Sequence, residues 1–163
     1  MKKYIFKAYS KDFPKLFKLE KRKLTKILGK SVVIEHVGST AVPGLGGKNI
    51  LDITIASDKN KIRSATKLLI KAKYIFKDKA GSKNRLFFVK DYLYRGRLRQ
   101  VHIHLTHKNS NVWFNHLKFR DRLINDKKLM LEYATLKKQA VKLGKQGKEY
   151  RDYKDKLIKK ILK

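Results

Sequence analysis

Cysteine is absent from the 163 residues, proline occurs twice and tryptophan once. Without cysteine there is no disulfide framework and no thiolate chemistry. Acidic side chains are scarce as well: 13 against 43 lysines and arginines, a net charge of +30 at pH 7. Long apolar runs are missing, and no window approaches the ~18 consecutive apolar residues of a membrane span. The opening MKKYIFKAYSKDF has the charges of a secretory leader, but lysine interrupts the apolar stretch that a leader needs. These absences predict a cytoplasmic protein with no membrane partner.

What is present is enough for a core. With 42% apolar residues, one compact domain is expected over 1–163, divided into an N-terminal helix (1–30), an α/β core (31–106) and C-terminal helices (110–163). The positive charge suits a polyanion such as RNA, bound with strong salt dependence. Yet the excess is mostly lysine and is spread along the chain, and lysine runs on helices are commonly solvated faces.

Residues 12–28 read as a helix, with Asp12 or Ser10 as cap, Pro14 in the first turn and Gly29 at the end. Segments 31–38 and 49–56 are β-rich. Asp58 is placed to cap a helix reaching about Ala72, with Ile62, Ala65, Leu68 and Leu69 inward. A short strand at 74–76 and a hairpin, 85–92 with 97–106 around Tyr94-Arg95-Gly96, complete the β content. From Ser110 onward the pattern is helical, broken near Asp126 and at Gly144–Gly147, with Trp113, Phe114, Leu117 and Phe119 expected in the core. The whole reads as α/β or α+β.

Glycine concentrates in "HVGSTAVPGLGGKNILDITIA", His36 to Ala56. A P-loop would need glycine where Val42 stands and Ser or Thr where Asn49 stands; a dinucleotide fingerprint would need a glycine at Asn49. A glycine-rich turn between strands is the bland alternative. Against it, Gly38, Ser39 and Thr40 end a strand with backbone N–H groups and hydroxyls able to surround an anion. Thirteen residues on, Asp52 interrupts an apolar strand, on one face with Ile50 and Thr54, while Leu51, Ile53 and Ile55 take the other. A carboxylate there needs a partner or a metal, and one beside a phosphate-binding turn suits Mg²⁺-assisted nucleotidyl transfer. Gly44, Gly46 and Gly47 would let the chain wrap a phosphate closely. If the carboxylate is uncompensated, Asp52→Asn should leave the empty fold equally or more stable.

His102-Ile103-His104 puts two imidazoles on one strand face, a metal or phosphate signal. Lys48 leads into the acidic strand, and Arg85, Arg95, Arg97 and Arg99 could form a basic hairpin. His107 and His116 read as loop and helix-surface residues with no role, and Arg120 with Asp121 as a structural pair.

"IEHVGSTAVPGLGGKNILDI", with the helix "FPKLFKLEKRKL", "RLFFVK", "VHIHL", "HLKFRDRL" and "YRDYKDKLIKKIL", resembles the GrpB family, within the nucleotidyltransferase-fold superfamily. The resemblance covers nearly the whole chain. It implies a short mixed β-sheet flanked by helices, with the Gly-Ser turn and the acidic strand at the active edge. It places Glu35 and His36 near the loop, where they orient it, and Arg85 in the family's "RLFF" stretch. Superfamily catalysts present Asp-x-Asp or Asp-x-Glu after Gly-Ser, plus a third acid, to hold two Mg²⁺. Here Asp52 fills the first place, Thr54 the second, and Gln100, His102 and His104 share the face where a third acid would stand.

The expectation is therefore a nucleotidyltransferase acting on a nucleoside triphosphate with Mg²⁺ or Mn²⁺. Asp52, His102 and His104 are its catalytic and metal-binding residues; Gly38, Ser39, Thr40, Lys48 and Arg85 bind the nucleotide. A non-catalytic nucleotide- or RNA-binding module that kept the pocket is the alternative.

Overall fold

A computed structural model describes residues 4–163; Met1, Lys2 and Lys3, part of the N-terminal lysine cluster, lie outside the described residues. A helix, α1 (Phe13–Leu28), is followed by β1 (Val33–Val37), a 3₁₀ turn (Ser39–Ala41), β2 (Ile50–Ser57), α2 (Ile62–Lys71) and β3 (Ile75–Phe76). A long hairpin comes next, β4 (Leu86–Tyr94) and β5 (Arg97–His107), then α3 (Asn111–Asn125), α4 (Lys127–Lys142) and α5 (Gly147–Leu162).

The boundaries follow local chemistry. Gly29, at φ +81°, ends α1 where a side chain would be strained. The hairpin turns through Arg95 and Gly96, both at positive φ, as a two-residue turn requires. Ser110 caps α3 by accepting from Trp113 N at 3.0 Å. Asp126 caps α4 by accepting from Leu129 N at 2.9 Å, which fixes the break between the two helices. Two caps differ from expectation. Asp58 makes no side-chain cap on α2, whose N-cap is Lys61; its carboxylate pairs with Lys61 and Lys108. Asp12 makes no side-chain cap on α1; its carboxylate instead lies within 3.7 Å of Arg95 and Arg99. Two guanidinium partners, exposed Arg95 and largely buried Arg99, engage those oxygens instead of a backbone N–H.

The five strands form one mixed sheet in the order β1-β2-β5-β4-β3. Only β2 and β5 run parallel, with Asp52 opposite His102 and Thr54 opposite His104. Strand alternation then divides the sheet. Leu51, Ile53, Ile55, Val101, Ile103 and Leu105 face α1 and α2, where Phe13, Leu16, Leu24, Ala65 and Leu69 close the main core. Each such aliphatic side chain contributes about 1.5–3 kcal/mol on burial.

Asp52, Thr54, His102 and His104 face the other way, toward the C-terminal helices. Those helices build a second core from Leu123, Tyr133, Leu157 and Ile161 around Val42 and Leu45 of the glycine loop. Two cations on α3 hold the last turn of α5: Lys118 Nζ donates to Leu162 O at 2.6 Å, and Arg122 Nη1 to Ile161 O at 2.6 Å. They satisfy carbonyls that a helix end leaves free. Two apolar placements are corrected: Leu68 is 40% exposed and Phe114 52% exposed, because each lies on the outer side of its helix.

Candidate functional site

The Gly-Ser turn is held from behind. Gly38 sits at φ +70°, and a Cβ there would come within 2.6 Å of Asp52 Oδ2. Backbone and neighbour both demand glycine. Gly38→Ala is expected to cost about 1–3 kcal/mol in denaturant unfolding and to displace the carboxylate; an unchanged midpoint would show that the turn is slack.

Thr40 is not on the pocket wall. It is buried, its hydroxyl donates to Ile50 O at 3.1 Å, and its oxygen lies 2.9 Å from His36 Nε2. With the hydroxyl proton committed to a carbonyl, His36 must donate from Nε2. Burial pushes the His36 pKa down to about 4, so the ring stays neutral. Arg120 completes the scaffold, donating to Glu35 Oε2 at 2.8 Å and to His36 O at 3.0 Å, and pairing with Asp121. Thr40 therefore pins the loop and does not meet a ligand. Gly46 is likewise structural: a Cβ would lie 2.6 Å from both Lys7 O and the Phe6 ring, because residues 6 and 7 run alongside the loop and Lys7 and Gly47 exchange backbone hydrogen bonds. Gly47 does line the cleft, next to Ser39 Oγ and Lys137 Nζ.

Asp52 lies on the floor between two imidazoles. Its Oδ1 is 3.3 Å from His102 Nδ1 and 3.7 Å from His104 Nε2. Burial alone would raise its pKa, but hydrogen bonding and charge from the two histidines outweigh that and hold the carboxyl well below the usual range.

The outer partners assign the protons. Arg85 Nη1 lies 2.7 Å from His104 Nδ1, and a guanidinium only donates, so Nδ1 accepts and Nε2 carries the hydrogen toward Asp52. Burial pushes the His104 pKa down, in keeping with a neutral ring. Gln100 donates its amide to Asp91 at 2.7 Å, which turns its carbonyl toward His102 Nε2 at 2.9 Å. His102 thus has an oxygen acceptor at each nitrogen. His104 presents no lone pair beside Asp52, and among the described residues no group of three or more His, Cys, Asp or Glu can hold a metal. The structure brings the expected set of Asp52, His102 and His104 together, with both imidazoles against Asp52 Oδ1.

Thr54, at the second acidic place of the superfamily, is fully buried, and its hydroxyl lies 3.2 Å from His116 Nδ1. His116 was expected on the surface. It packs instead against His104 with ring centroids 4.9 Å apart, and burial pushes its pKa down to about 3. His107 remains peripheral, facing Lys108 O.

Above this floor opens a cleft of about 540 Å³ lined by Gly38, Ser39, Lys48, Asp52, Arg85, His102 and His104. Six cationic side chains enter it (Lys48, Lys79, Arg85, Lys137, Arg151 and Lys154) against one carboxylate. Four lie over aromatic rings, Arg85 among them with its Cζ 5.6 Å from the Phe87 centroid. Lys48 Nζ is 3.2 Å from the Tyr4 centroid and 4.2 Å from that of Tyr150; Lys154 lies 4.3 Å from Tyr150, and Lys137 5.0 Å from Tyr133. Burial first, and then mutual repulsion, pushes Lys154 down to about 8 and Lys137 to about 7, while burial and Arg151 lower Lys48 to about 8. Lys137 is 2% exposed and hydrogen-bonds Gly46 O. Arg95, Arg97 and Arg99 lie outside the cleft, at the far end of the hairpin.

Lys137, Arg151 and Lys154 were not singled out in the sequence. A signal for two of them exists: Tyr133-x-x-x-Lys137 and Tyr150-x-x-x-Lys154 repeat one aromatic–lysine spacing on neighbouring helices, and i,i+4 neighbours share a helix face.

Comparison with known proteins agrees with this architecture. The chain is 32% identical over 133 residues to the UPF0157 protein YqkA of Bacillus subtilis, a match covering 80% of this chain but only 38% of YqkA. The crystal structure of the conserved protein GrpB from Enterococcus faecalis superposes with a TM-score of 0.81 at 27% identity, over 97% of this chain and 94% of that one. The GLD-2/RNP-8 complex matches with a TM-score of 0.56 at 12% identity, over 82% of this chain and 55% of that one, a likeness of fold alone. The sheet and its flanking helices are nucleotidyltransferase-like. The family model for GrpB protein matches residues 4–163, and this chain belongs to the GrpB family.

Proposed function

We propose that the cleft binds a nucleoside triphosphate through its polyphosphate. The observation that carries this reading is the convergence of six cations on a single carboxylate in one concave site. Unpaired lysines held partly out of water are costly in the empty protein, and a chain of phosphates is the ligand that relieves both their desolvation and their repulsion. Tyr4 and Tyr150 offer rings on the rim for a base to stack on.

One divalent cation fits this site. Mg²⁺ and Mn²⁺ are commonly held by one or two carboxylates plus substrate phosphates and water, and Asp52 can supply Oδ2 toward the Gly-Ser turn. When bound, such an ion would neutralise charge on the phosphates. A second ion finds no carboxylate, since Thr54 and Gln100 stand where further acids would be needed.

Nucleotidyl transfer to an acceptor is the second reading, favoured by Asp52 on the strand that follows Gly-Ser. In it the chain's own groups act as follows: Lys48, Lys137 and Lys154 hold the triphosphate, Arg85 sets the His104 tautomer, and His102 and His104 aim Asp52.

Calorimetric titration separates the readings. ATP and inorganic tripolyphosphate are expected to compete for one site, AMP to bind far more weakly, and pyrophosphate release to mark transfer. Equal affinity for ATP and AMP would refute polyphosphate recognition.

The lysines also set a pH dependence. Their pKa values of about 7 to 8 in the empty cleft rise when an anion binds, so binding takes up protons. ATP affinity should fall above pH 7, by about tenfold per pH unit for each proton taken up. The empty fold should respond oppositely. The unfolded chain, with ordinary lysines, binds more protons between pH 7 and 10, so these groups make stability rise with pH there. Titrations in buffers of different ionisation enthalpy at pH 8 measure the uptake; a flat dependence would place the lysines outside the binding site.

A further inference from the structure

Behind Asp52 lies a second cavity of about 310 Å³, which shares Gly38, Asp52, His104 and Phe119 with the cationic cleft. Its remaining walls are mostly aliphatic, Val37, Ile158 and Leu162, with His116 and Asn115 supplying polar atoms. Among the described residues no lysine or arginine lines it. A phosphate placed there would lose its hydration to apolar walls without a cation in return, so the two cavities take different chemistry. A cationic ligand would face the cleft's positive charge across a thin wall.

His116 determines what the cavity can recognise. Thr54 Oγ1 lies 3.4 Å from His104 O, which can only accept, so the threonine hydrogen is committed there. His116 Nδ1, 3.2 Å from the same Oγ1, must then donate. The neutral ring is left with Nε2 as an acceptor that has no protein partner among the hydrogen bonds of the described residues. A ligand that covers this acceptor from water must bring a donor of its own.

We propose that this cavity is a second binding subsite, for a small uncharged molecule with an apolar body and one hydroxyl group that donates to His116 Nε2. The volume is at the small end of ligand pockets, about 300–1,000 Å³, enough for a ring or a short branched chain. Because the cavities meet at Asp52, this molecule would stand against the phosphates of a nucleotide in the cleft. That last point rests on the nucleotide reading; the subsite itself does not.

The test uses benzyl alcohol, toluene and benzoate as probes, read by the methyl NMR signals of Ile158 and Leu162 in the full chain without nucleotide. Benzyl alcohol is expected to shift both methyls, benzoate neither, and toluene to bind about fivefold to tenfold more weakly for lack of one hydrogen bond. His116→Phe keeps a ring but removes Nε2, and should equalise alcohol and toluene. Leu162→Phe, which narrows the cavity without touching His116, should weaken both about tenfold or more. Unmoved methyls, equal binding of benzoate, or an alcohol preference that survives in His116→Phe would overturn the subsite. ATP titrated into the same samples, read at Tyr150, reports the cleft separately, so either site can fail alone.

Discussion

Replacing Lys48 and Lys154 together by methionine is expected to lower ATP affinity about 100-fold and to raise the melting temperature of the empty protein. The two effects share a cause. Both ammonium groups are pushed down to about 8, burial being the largest influence and neighbouring positive charge adding to it. Neither has an acidic partner among the described salt bridges; they rest on the rings of Tyr4, Tyr133 and Tyr150. Methionine keeps that aromatic contact and removes the charge. A bound phosphate, by contrast, loses two charge-assisted contacts worth about 1.5–3 kcal/mol each. Calorimetry and thermal unfolding of the same preparation read both changes. Lower stability with unchanged affinity would make the lysines a packing device and remove the polyphosphate from the proposal. Lys137 is a poorer choice for this test, because Gly46 O would lose its donor.

Much of the architecture is written locally in the sequence. Gly29, Ser110 and Asp126 mark helix ends by chemistry that acts over three or four residues, and Arg95-Gly96 marks a turn in the same way. Strand alternation also sufficed to put Asp52 and Thr54 on one face of β2, and His102 and His104 on one face of β5. The site was legible as far as those strands, the Gly-Ser turn, Lys48 and Arg85. Lys137 reaches Gly46 across 91 residues, and His116 reaches Thr54 across 62, contacts that no local pattern encodes. An H-x-H strand also looks alike whether its lone pairs face a metal or its hydrogens face a carboxylate. For His104, Arg85 makes that choice through a hydrogen bond formed only after folding.

The glycines changed meaning in a similar way. Gly38 and Gly46 are dictated by protein atoms, the Asp52 carboxylate and the Phe6–Lys7 segment, while Gly38 and Gly47, but not Gly46, border the cleft as well. The loop's tightness therefore serves to bring Ser39 and Asp52 together. The cations that line the cleft come from elsewhere, Lys48 and Arg85 beside the sheet and Lys137, Arg151 and Lys154 from α4 and α5. In a chain with 43 basic residues, what distinguishes these few is position: they point inward, over rings, at one acid.

Asp52→Asn is expected to abolish the effect of Mg²⁺ or Mn²⁺ on ATP binding while leaving metal-free ATP bound as tightly as before or more so. Asparagine keeps the shape but supplies no charge for the cation. It also removes the one negative charge facing the phosphates, so the bare nucleotide gains where the metal complex loses. The stability effect is opposite to that expected of an uncompensated carboxylate. His102 and His104 hold the Asp52 pKa below its unfolded value of 3.8, so ionised Asp52 stabilises the fold above that pH, and the contribution is lost as pH falls through and below it. Asp52→Asn should therefore destabilise the empty protein at neutral pH, and the difference from wild type should shrink as the solution is acidified. Denaturant unfolding at pH 7 and pH 3, beside titrations of ATP with and without metal, measures all of this. A variant that loses metal-free ATP binding as well would assign Asp52 to holding the turn in shape, and metal dependence that survives would move the cation to another residue.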